Sequence, residues 1–206
     1  MTKLHVFDMD GTLLQSTASI EISRAVGELA AGELIEQSWL KGEISDVRFW
    51  ELCLPLWEGL SEADVDDAFA ASPWIGGVVE VFADIRNRGE YSTVISQSPQ
   101  FFVERLTGLG ADSAFGAQVA LRSEVGPECL LSAEDKVSIV SKLLAEYGLA
   151  EGDCVAYGDS TSDIPLFGKL PNTVAVNASA RVRELATIEY EGSDLRGAYV
   201  LGRGLL

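Results

Sequence analysis

Short apolar runs that alternate with amphipathic stretches constrain the fold of this chain more than any other feature. The runs are rich in β-branched and aromatic residues and lack polar alternation, which predicts strands buried on both faces. Strands that alternate with helical patterns favour an α/β fold, a doubly wound parallel sheet with helices on both sides. The predicted strands are Leu4–Phe7, Ser92–Ile95, Val155–Tyr157 and Val174–Val176.

Three helices are predicted around the later strands. Val78–Asn87 precedes the second strand. Pro99–Leu109 follows it, with Ser98 as a fitting N-cap and proline at the first helical position. Ser132–Tyr147 carries an apolar face and ends before a glycine, a common helix terminator.

The segment between the first two strands is far longer than one crossover helix requires. It contains apolar stripes at helical spacing, and Ser61 is a plausible N-cap for a further helix. We therefore predict a Rossmann-like core formed by residues 1–14 and 75–206, with a small all-helical cap at residues 15–74. The cap would lie beside the strand ends, where open α/β sheets bind their ligands. The stripes are formed by Ile22, Val26 and Leu29, and by Phe49, Leu52, Cys53 and Leu56.

The charge of the chain restricts its partners. The 206 residues carry a formal net charge of −17, which argues against nucleic acid and against an anionic membrane surface. An anionic substrate would need local positive charge, such as a metal ion. No apolar run reaches the roughly 18 residues of a membrane span, and Asp8 and Asp10 interrupt any signal-peptide core, so a cytoplasmic location is expected. The oligomeric state is not readable, and a homodimer stays open.

Two aspartates directly follow the first predicted strand in the segment DMDGT. Alternation in extended backbone would point Asp8 and Asp10 to the same side, and Gly11 would permit a tight turn after them. Two adjacent carboxylates tolerate each other if a divalent cation lies nearby or if one is protonated. A turn closed by Thr12, without chemistry, is the alternative interpretation. A calcium loop is disfavoured because the position that needs glycine holds Leu13.

Three further polar features follow other predicted strands or open a helix. Ser96 follows the second strand, Lys136 lies in the first turn of a predicted helix, and Asp159 and Asp163 follow the third strand. Each alone has a structural explanation as a cap, a surface lysine or a helix-start acid. Together they would meet at one sheet edge, which suits Mg²⁺ and a phosphoryl group.

These segments resemble, in chain order, the four motifs of the haloacid-dehalogenase-like hydrolase superfamily. The matching residues are DMDGTL, Ser96, Lys136 and GDSTSD, and the helical insertion resembles the small mobile cap of that superfamily. The size of the cap and the stretch KGEIS…FWE resemble the phosphoserine phosphatase branch.

The resemblance implies a role for each motif residue. Asp8 would be the nucleophile that forms an aspartyl-phosphate, and Asp10 the general acid and base. Ser96 and Lys136 would neutralise phosphoryl oxygens. The implied Mg²⁺ ligands are Asp8, Asp10 through its backbone carbonyl, and Asp159, while Asp163 would hold Lys136 or the metal shell.

The implied activity is Mg²⁺-dependent hydrolysis of a small phosphomonoester, with specificity set by the cap. Phosphoserine itself is one alternative, although the acid and the arginine that the phosphoserine phosphatases use fall here at Thr17 and near Cys53. A sugar, polyol or biosynthetic-intermediate phosphate is favoured. A phosphotransferase or phosphomutase, a receiver-like signalling module and a phospho-ligand-binding relative also stay open. The expected substrate-binding residues are Thr12, Ser96, Gln97, Arg48, Thr17 and Glu21.

Overall fold

The structure is a computed structural model that describes residues 2–206. Across these residues, six parallel strands form one sheet in the order β3-β2-β1-β4-β5-β6. The predicted α/β class and parallel sheet are confirmed. The strands are β1 Leu4–Phe7, β2 Tyr91–Pro99, β3 Ser113–Ala117, β4 Cys154–Gly158, β5 Thr173–Val176 and β6 Ile188–Tyr190.

Helices cover both faces of the sheet and fill the long segment after β1. The helices before β2 are α1 Ala18–Ala25, α2 Leu29–Leu40, α3 Asp46–Leu56, α4 Glu62–Ala71 and α5 Val78–Asn87. The later helices are α6 Gln100–Val103, α7 Ala133–Tyr147, α8 Ile164–Lys169, α9 Ala180–Arg183 and α10 Leu195–Arg203. Among the described residues, no helix combines the length and the apolar character needed to cross a bilayer.

Side chains along β1 alternate between two apolar cores. Leu4 and Val6 pack on one face of the sheet, while Phe7 packs on the other against Phe82 and Tyr157. All of β1 is buried, which explains its continuous apolar pattern. The single histidine, His5, is also buried, and its imidazole lies within hydrogen-bond distance of Glu90 and Tyr157.

The long segment after β1 leaves and re-enters the sheet region at one place. The backbone N–H of Gln15 donates to Pro73 O at 2.9 Å, and that of Ile75 donates to Leu13 O at 2.8 Å. Helices α1–α4 lie between these two bonds. The exact division into a core and a cap of residues 15–74 stays a prediction.

The first predicted stripe of this segment belongs to two helices. Gly27 adopts a left-handed φ of +80° and separates α1 from α2, so Ile22 and Leu29 lie on different helices. Ser61 caps α4 as predicted, with a reciprocal bond to Asp64.

The prediction of a helix at Pro99–Leu109 with Ser98 as its cap is wrong. Strand β2 continues through Ser98 to Pro99, and only Gln100–Val103 form an α-helix before a 3₁₀ turn at Glu104–Thr107. Pairing with β3, which reaches as far as Pro99 opposite Ala117, holds this segment extended. Sheet pairing here overrides a good local helix-start signal.

Candidate active site

The register of the sheet places three polar segments at the same level. Phe7 of β1 pairs with Val94 of β2 and with Tyr157 of β4. The residues just beyond these positions therefore meet at the carboxyl edge of the sheet. This places Asp8 between Ser96 and Asp159.

Helix α7 reaches the same edge because it runs antiparallel to the strands. It precedes β4, so its first turn lies where the parallel strands end. Ser132 caps the helix: its Oγ accepts from the Asp135 N–H, and its own N–H donates to Asp135 Oδ2. This reciprocal pair fixes where the helix begins. Lys136 therefore points into the sheet edge, where it is 1% exposed.

Lys136 links two carboxylates. Its Nζ lies 2.6 Å from Oδ1 of Asp8 and 2.7 Å from Oδ1 of Asp163, and it also donates to Ser162 Oγ at 3.1 Å. Asp8 and Asp163 are 6% and 2% exposed, so water hardly screens these ion pairs. The ammonium group is thus fixed beside the carboxylate that follows β1.

Asp163 is held from its other side by backbone. Its Oδ2 accepts from the N–H groups of Asp159 and Ser160, at 3.0 and 3.2 Å. A Cβ at Gly158 would collide with the Asp163 carboxyl group, so glycine is needed for this close approach. Asp163 therefore serves as a fixed support for Lys136 and for the loop after β4.

Gly11 is required for two reasons at the turn after Asp10. Its φ of +84° lies in the left-handed region, and a Cβ there would collide with the Asp159 carboxyl group. The predicted tight turn is present. Thr12 donates to Asp159 Oδ1 at 3.0 Å and so ties the first segment to the loop after β4.

The Asp10 carboxyl group is oriented by three donors. The N–H of Ala18 donates to Oδ1 at 2.8 Å, and the hydroxyl groups of Ser96 and Ser98 each donate to Oδ2 at 2.8 Å. A hydroxyl can donate to a carboxylate and accept from a carboxylic acid. The two serines can therefore support Asp10 in either protonation state.

Burial and repulsion shift the acid–base properties of the site. Burial raises the pKa of Asp8; Lys136 opposes this rise, while Asp163 and Asp159 add to it. Burial, with repulsion from Asp163, raises the pKa of Asp159 to about 7. Burial alone would lower the pKa of Lys136, but Asp163 and Asp8 raise it above its usual value.

Three carboxylates could hold a metal ion. Oxygen atoms of Asp8, Asp159 and Asp163 lie within 4.8 Å of one another. Asp163 already bonds Lys136 and two N–H groups, so Asp8 and Asp159 are the better ligands. The raised pKa values of Asp8 and Asp159 indicate a shortage of positive charge, and an oxygen-ligated cation such as Mg²⁺ would relieve it.

The side chain of Asp10 is not part of this carboxylate cluster in the described chain. Both of its oxygens accept hydrogen bonds from α1 and β2 instead. From the resemblance, Asp10 is expected to bind the metal through its backbone carbonyl, and this role stays a prediction.

A cavity of about 860 Å³ opens above these groups. It lies between the carboxyl edge of the sheet, helices α2 and α3, and the segment before α7. Asp8, Asp10 and Asp159 form its floor. Its remaining wall includes Gln15–Thr17, Ser19, Glu36, Trp39, Asp46, Phe49, Trp50, Gln97, Ser98 and Leu130–Asp135.

Two of the expected substrate-binding residues line this cavity. Thr17 caps α1 and donates to Glu36 Oε2 at 2.7 Å, and Gln97 donates through Nε2 to Leu131 O at 3.1 Å.

The other expected substrate-binding residues lie elsewhere. Arg48 faces outward on α3 and pairs with Glu51, because the cavity face of that helix is formed by Asp46, Phe49 and Trp50. Glu21 is buried against Ser16 and Arg24. Thr12 and Ser96 are fully buried and bond Asp159 and Asp10. Within residues 2–206, none of these four residues is among those that line the cavity, and direct contact of their side chains with a substrate stays a prediction.

Sequence reasoning missed two residues at this site. The sequence pattern predicts Ser98 as a helix cap, whereas its hydroxyl donates to Asp10 Oδ2. Glu36 and helix α2 were not singled out, although Leu29–Leu40 contains apolar residues at helical spacing that could have revealed the helix. That Glu36 faces the cavity depends on how α2 packs against α1 and α3.

Comparisons with known proteins agree with this geometry. The sequence model of the haloacid dehalogenase-like hydrolase family matches residues 5–168. Phosphoserine phosphatase from Methanocaldococcus jannaschii is 28% identical over 94% of this chain and 94% of its own length. Phosphoserine phosphatase from Polaromonas sp. is 26% identical over 90% of this chain and 84% of its own length. A substrate-bound phosphoserine phosphatase structure matches with a TM-score of 0.79 and 26% identity, covering 96% of each chain.

Proposed function

This chain belongs to the haloacid dehalogenase-like hydrolase family, and we propose that it hydrolyses a small phosphomonoester through an aspartyl-phosphate formed on Asp8. It is a phosphatase similar to the phosphoserine phosphatases. The observation that carries the proposed residue roles is the contact at 2.6 Å between Lys136 Nζ and Asp8 Oδ1 at the floor of the cavity. Asp10 lies at the same floor.

In the first step, a carboxylate oxygen of Asp8 attacks phosphorus and the bond to the ester oxygen breaks. The leaving oxygen takes a proton from the Asp10 carboxyl group, and the alcohol departs. Burial raises the pKa of Asp10, although the N–H of Ala18 and the hydroxyls of Ser96 and Ser98 oppose the rise. A raised pKa favours the protonated form that this step needs.

In the second step, water attacks phosphorus and gives a proton to the Asp10 carboxylate. The bond between phosphorus and the Asp8 oxygen breaks, so inorganic phosphate and the free Asp8 carboxylate are regenerated. The serine hydroxyls hold Asp10 in place while its charge changes.

Lys136 supplies the positive charge that the chain itself brings to the reaction. It lies beside Asp8, and Asp163 and Ser162 fix its position. An ammonium in a buried site stabilises the negative charge of a phosphoryl group more than it would in water.

The carboxylates at the floor fit Mg²⁺, with Asp8 and Asp159 as the side chains that would hold it. By resemblance to the family, the backbone carbonyl of Asp10 would be a third ligand. When bound, the ion would neutralise phosphoryl oxygens and the crowded carboxylates. Phosphate monoesters require a barrier reduction of roughly 20 kcal/mol or more. Nucleophile, general acid, lysine and ion must therefore act together.

Removal of Mg²⁺ tests the proposal. We expect inorganic phosphate to be released from small phosphomonoesters in the presence of Mg²⁺, and the release to stop when EDTA removes the ion. Activity should return when Mg²⁺ is added in excess. Full activity in EDTA would contradict the role of the ion. Product without free phosphate, but with a phosphorylated acceptor alcohol, would identify a phosphotransferase.

Ser98→Ala should shift the pH profile. The Ser98 hydroxyl bond lowers the pKa of Asp10, so its removal raises that pKa. Asp10 must be protonated in the first step, and activity falls as pH rises through its pKa. The alkaline limb of kcat/KM should therefore move to higher pH.

Ser141→Ala, at an exposed position of α7, is the matched control and should keep the wild-type profile. An alkaline limb that moves downward in Ser98→Ala would contradict the assignment of Asp10 as the acid.

A further inference from the structure

The wall of the cavity is acidic beyond the reaction centre. Glu36, Asp46, Glu134 and Asp135 line it above the floor. Within residues 2–206, no lysine, arginine or histidine is among the lining residues. Lys136 is buried behind Asp8 and is already paired there. The part of a substrate remote from its phosphate therefore meets negative charge without a compensating cation.

Of these four acids, Glu36 has the carboxylate that is best placed to accept a hydrogen bond from a ligand. The hydroxyl groups of Thr17 and Ser19 both donate to its Oε2 at 2.7 Å. Among the described residues, nothing donates to its Oε1. By contrast, Asp46 accepts from the Trp39 indole, and Asp135 closes the cap of α7. The carboxylate of Glu36 is thus fixed on one side and available on the other.

Glu36 lies close to the general acid. Thr17 holds Glu36, and the N–H of the next residue, Ala18, donates to Asp10 Oδ1 at 2.8 Å. The leaving oxygen of the substrate must reach Asp10. A group bound by Glu36 is therefore separated from that oxygen by a short chain of atoms.

Aromatic rings stand beside Glu36 on the same wall. Trp39 follows Glu36 by one helical turn on α2, and its ring centroid lies 5.4 Å from that of Phe49. The bond from the Trp39 indole N–H to Asp46 Oδ1, at 2.7 Å, holds the ring in place. Aromatic faces beside a carboxylate attract ammonium groups through both charge and the ring quadrupole.

We propose that the preferred substrate is the phosphomonoester of a short amino alcohol, whose ammonium group binds Glu36 beside Trp39 and Phe49. This inference rests on the proposed phosphatase function and specifies its substrate class. A substrate carboxylate would meet Glu36, and among the described residues no lysine, arginine or histidine lines the cavity to balance the repulsion, so a phosphorylated amino acid is disfavoured. Burial raises the pKa of Glu36, with opposition from the Ser19 and Thr17 hydroxyls, and a bound ammonium would favour its ionised form.

Four phosphate esters of similar size test this proposal. O-phosphoethanolamine carries the ammonium, ethyl phosphate lacks it, 2-phosphoglycolate replaces it with a carboxylate, and O-phosphoserine carries both groups. With Mg²⁺ present, we expect kcat/KM for O-phosphoethanolamine to exceed that for each of the others by about 10-fold or more, because a charged contact of this kind corresponds to roughly 10- to 100-fold.

Glu36→Gln is the diagnostic variant. The ratio of kcat/KM for O-phosphoethanolamine to that for ethyl phosphate should fall by about 10-fold or more. Glu33→Gln is the matched control, since it removes the same charge from an exposed position of α2 outside the cavity lining, and it should keep the wild-type ratio. Equal turnover of O-phosphoethanolamine and ethyl phosphate, a preference for O-phosphoserine, or an unchanged ratio in Glu36→Gln would overturn the proposal.

A binding measurement separates this inference from the phosphatase proposal. Asp8→Asn can be titrated with O-phosphoethanolamine while tryptophan fluorescence is followed, since Trp39 and Trp50 line the cavity. Binding that depends on Glu36, in a protein whose wild type hydrolyses none of the four esters, would support the ammonium site and reject the reaction. If the protein neither binds O-phosphoethanolamine nor hydrolyses any of the four esters, both the ammonium site and the phosphatase reaction are overturned.

Discussion

Replacing Asp8 with asparagine is expected to reduce phosphate release by about 10⁴-fold or more, the scale seen when a nucleophile is removed from a catalytic unit. The amide is nearly the same size as the carboxyl group, but its oxygen is a much weaker nucleophile. Lys136 keeps its second partner, Asp163, so the site should remain assembled. The measurement is kcat for phosphate release with Mg²⁺ in excess.

Two controls accompany this variant. Asp67→Asn removes a carboxylate from an exposed position of α4 and should retain full activity. Thermal unfolding of Asp8→Asn should resemble that of the wild type, which would exclude misfolding as the cause. Turnover that survives in Asp8→Asn would reject Asp8 as the nucleophile.

Lys136→Met is expected to have the largest effect on stability. The lysine is buried between Asp8 and Asp163, and its loss leaves both carboxylates without their cation. Removing one partner of a buried ion pair typically costs about 3–5 kcal/mol. We expect the free energy of unfolding in urea, at neutral pH, to fall by about that amount, and phosphate release to be lost.

The deficit of Lys136→Met should depend on pH. Burial already raises the pKa of Asp8, so the folded variant holds a proton on this group more readily than the unfolded chain does. A carboxyl group with a raised pKa in the folded state stabilises that state as pH falls. The stability lost in Lys136→Met should therefore be smaller in mild acid than at neutral pH. Lys142→Met, at an exposed position of the same helix, should leave stability nearly unchanged. If Lys136→Met is as stable as Lys142→Met, the assignment of a stabilising buried ion pair to Lys136 is contradicted.

The edge strands illustrate what the sequence pattern could not provide. Strand β3 contains Gly116 and only moderate apolar character, and the three residues of β6 are incompletely buried. Strands at the edge of a sheet lack the double burial that makes a continuous apolar run, so their signal is weak. The central strands β1 and β4 are buried throughout and were predicted within one residue at each end.

The sequence alone determined the class of the fold and the segments that form the floor of the site. Buried strands are recognisable from local composition, and parallel connections bring their carboxyl ends to one edge, so Asp8, Lys136, Asp159 and Asp163 could be expected together. Ser132 likewise fixed where α7 begins, and hence where Lys136 lies.

The tertiary structure decided which side chains face the cavity. Arg48 lies outside and Glu36 inside because packing among short helices, rather than spacing along the chain, sets the rotation of each helix. Pairing with β3 likewise kept Ser98 in an extended strand, where its hydroxyl reaches Asp10. These outcomes depend on contacts between residues remote in sequence, whereas a pattern of residues reports only the conformation that each segment prefers by itself.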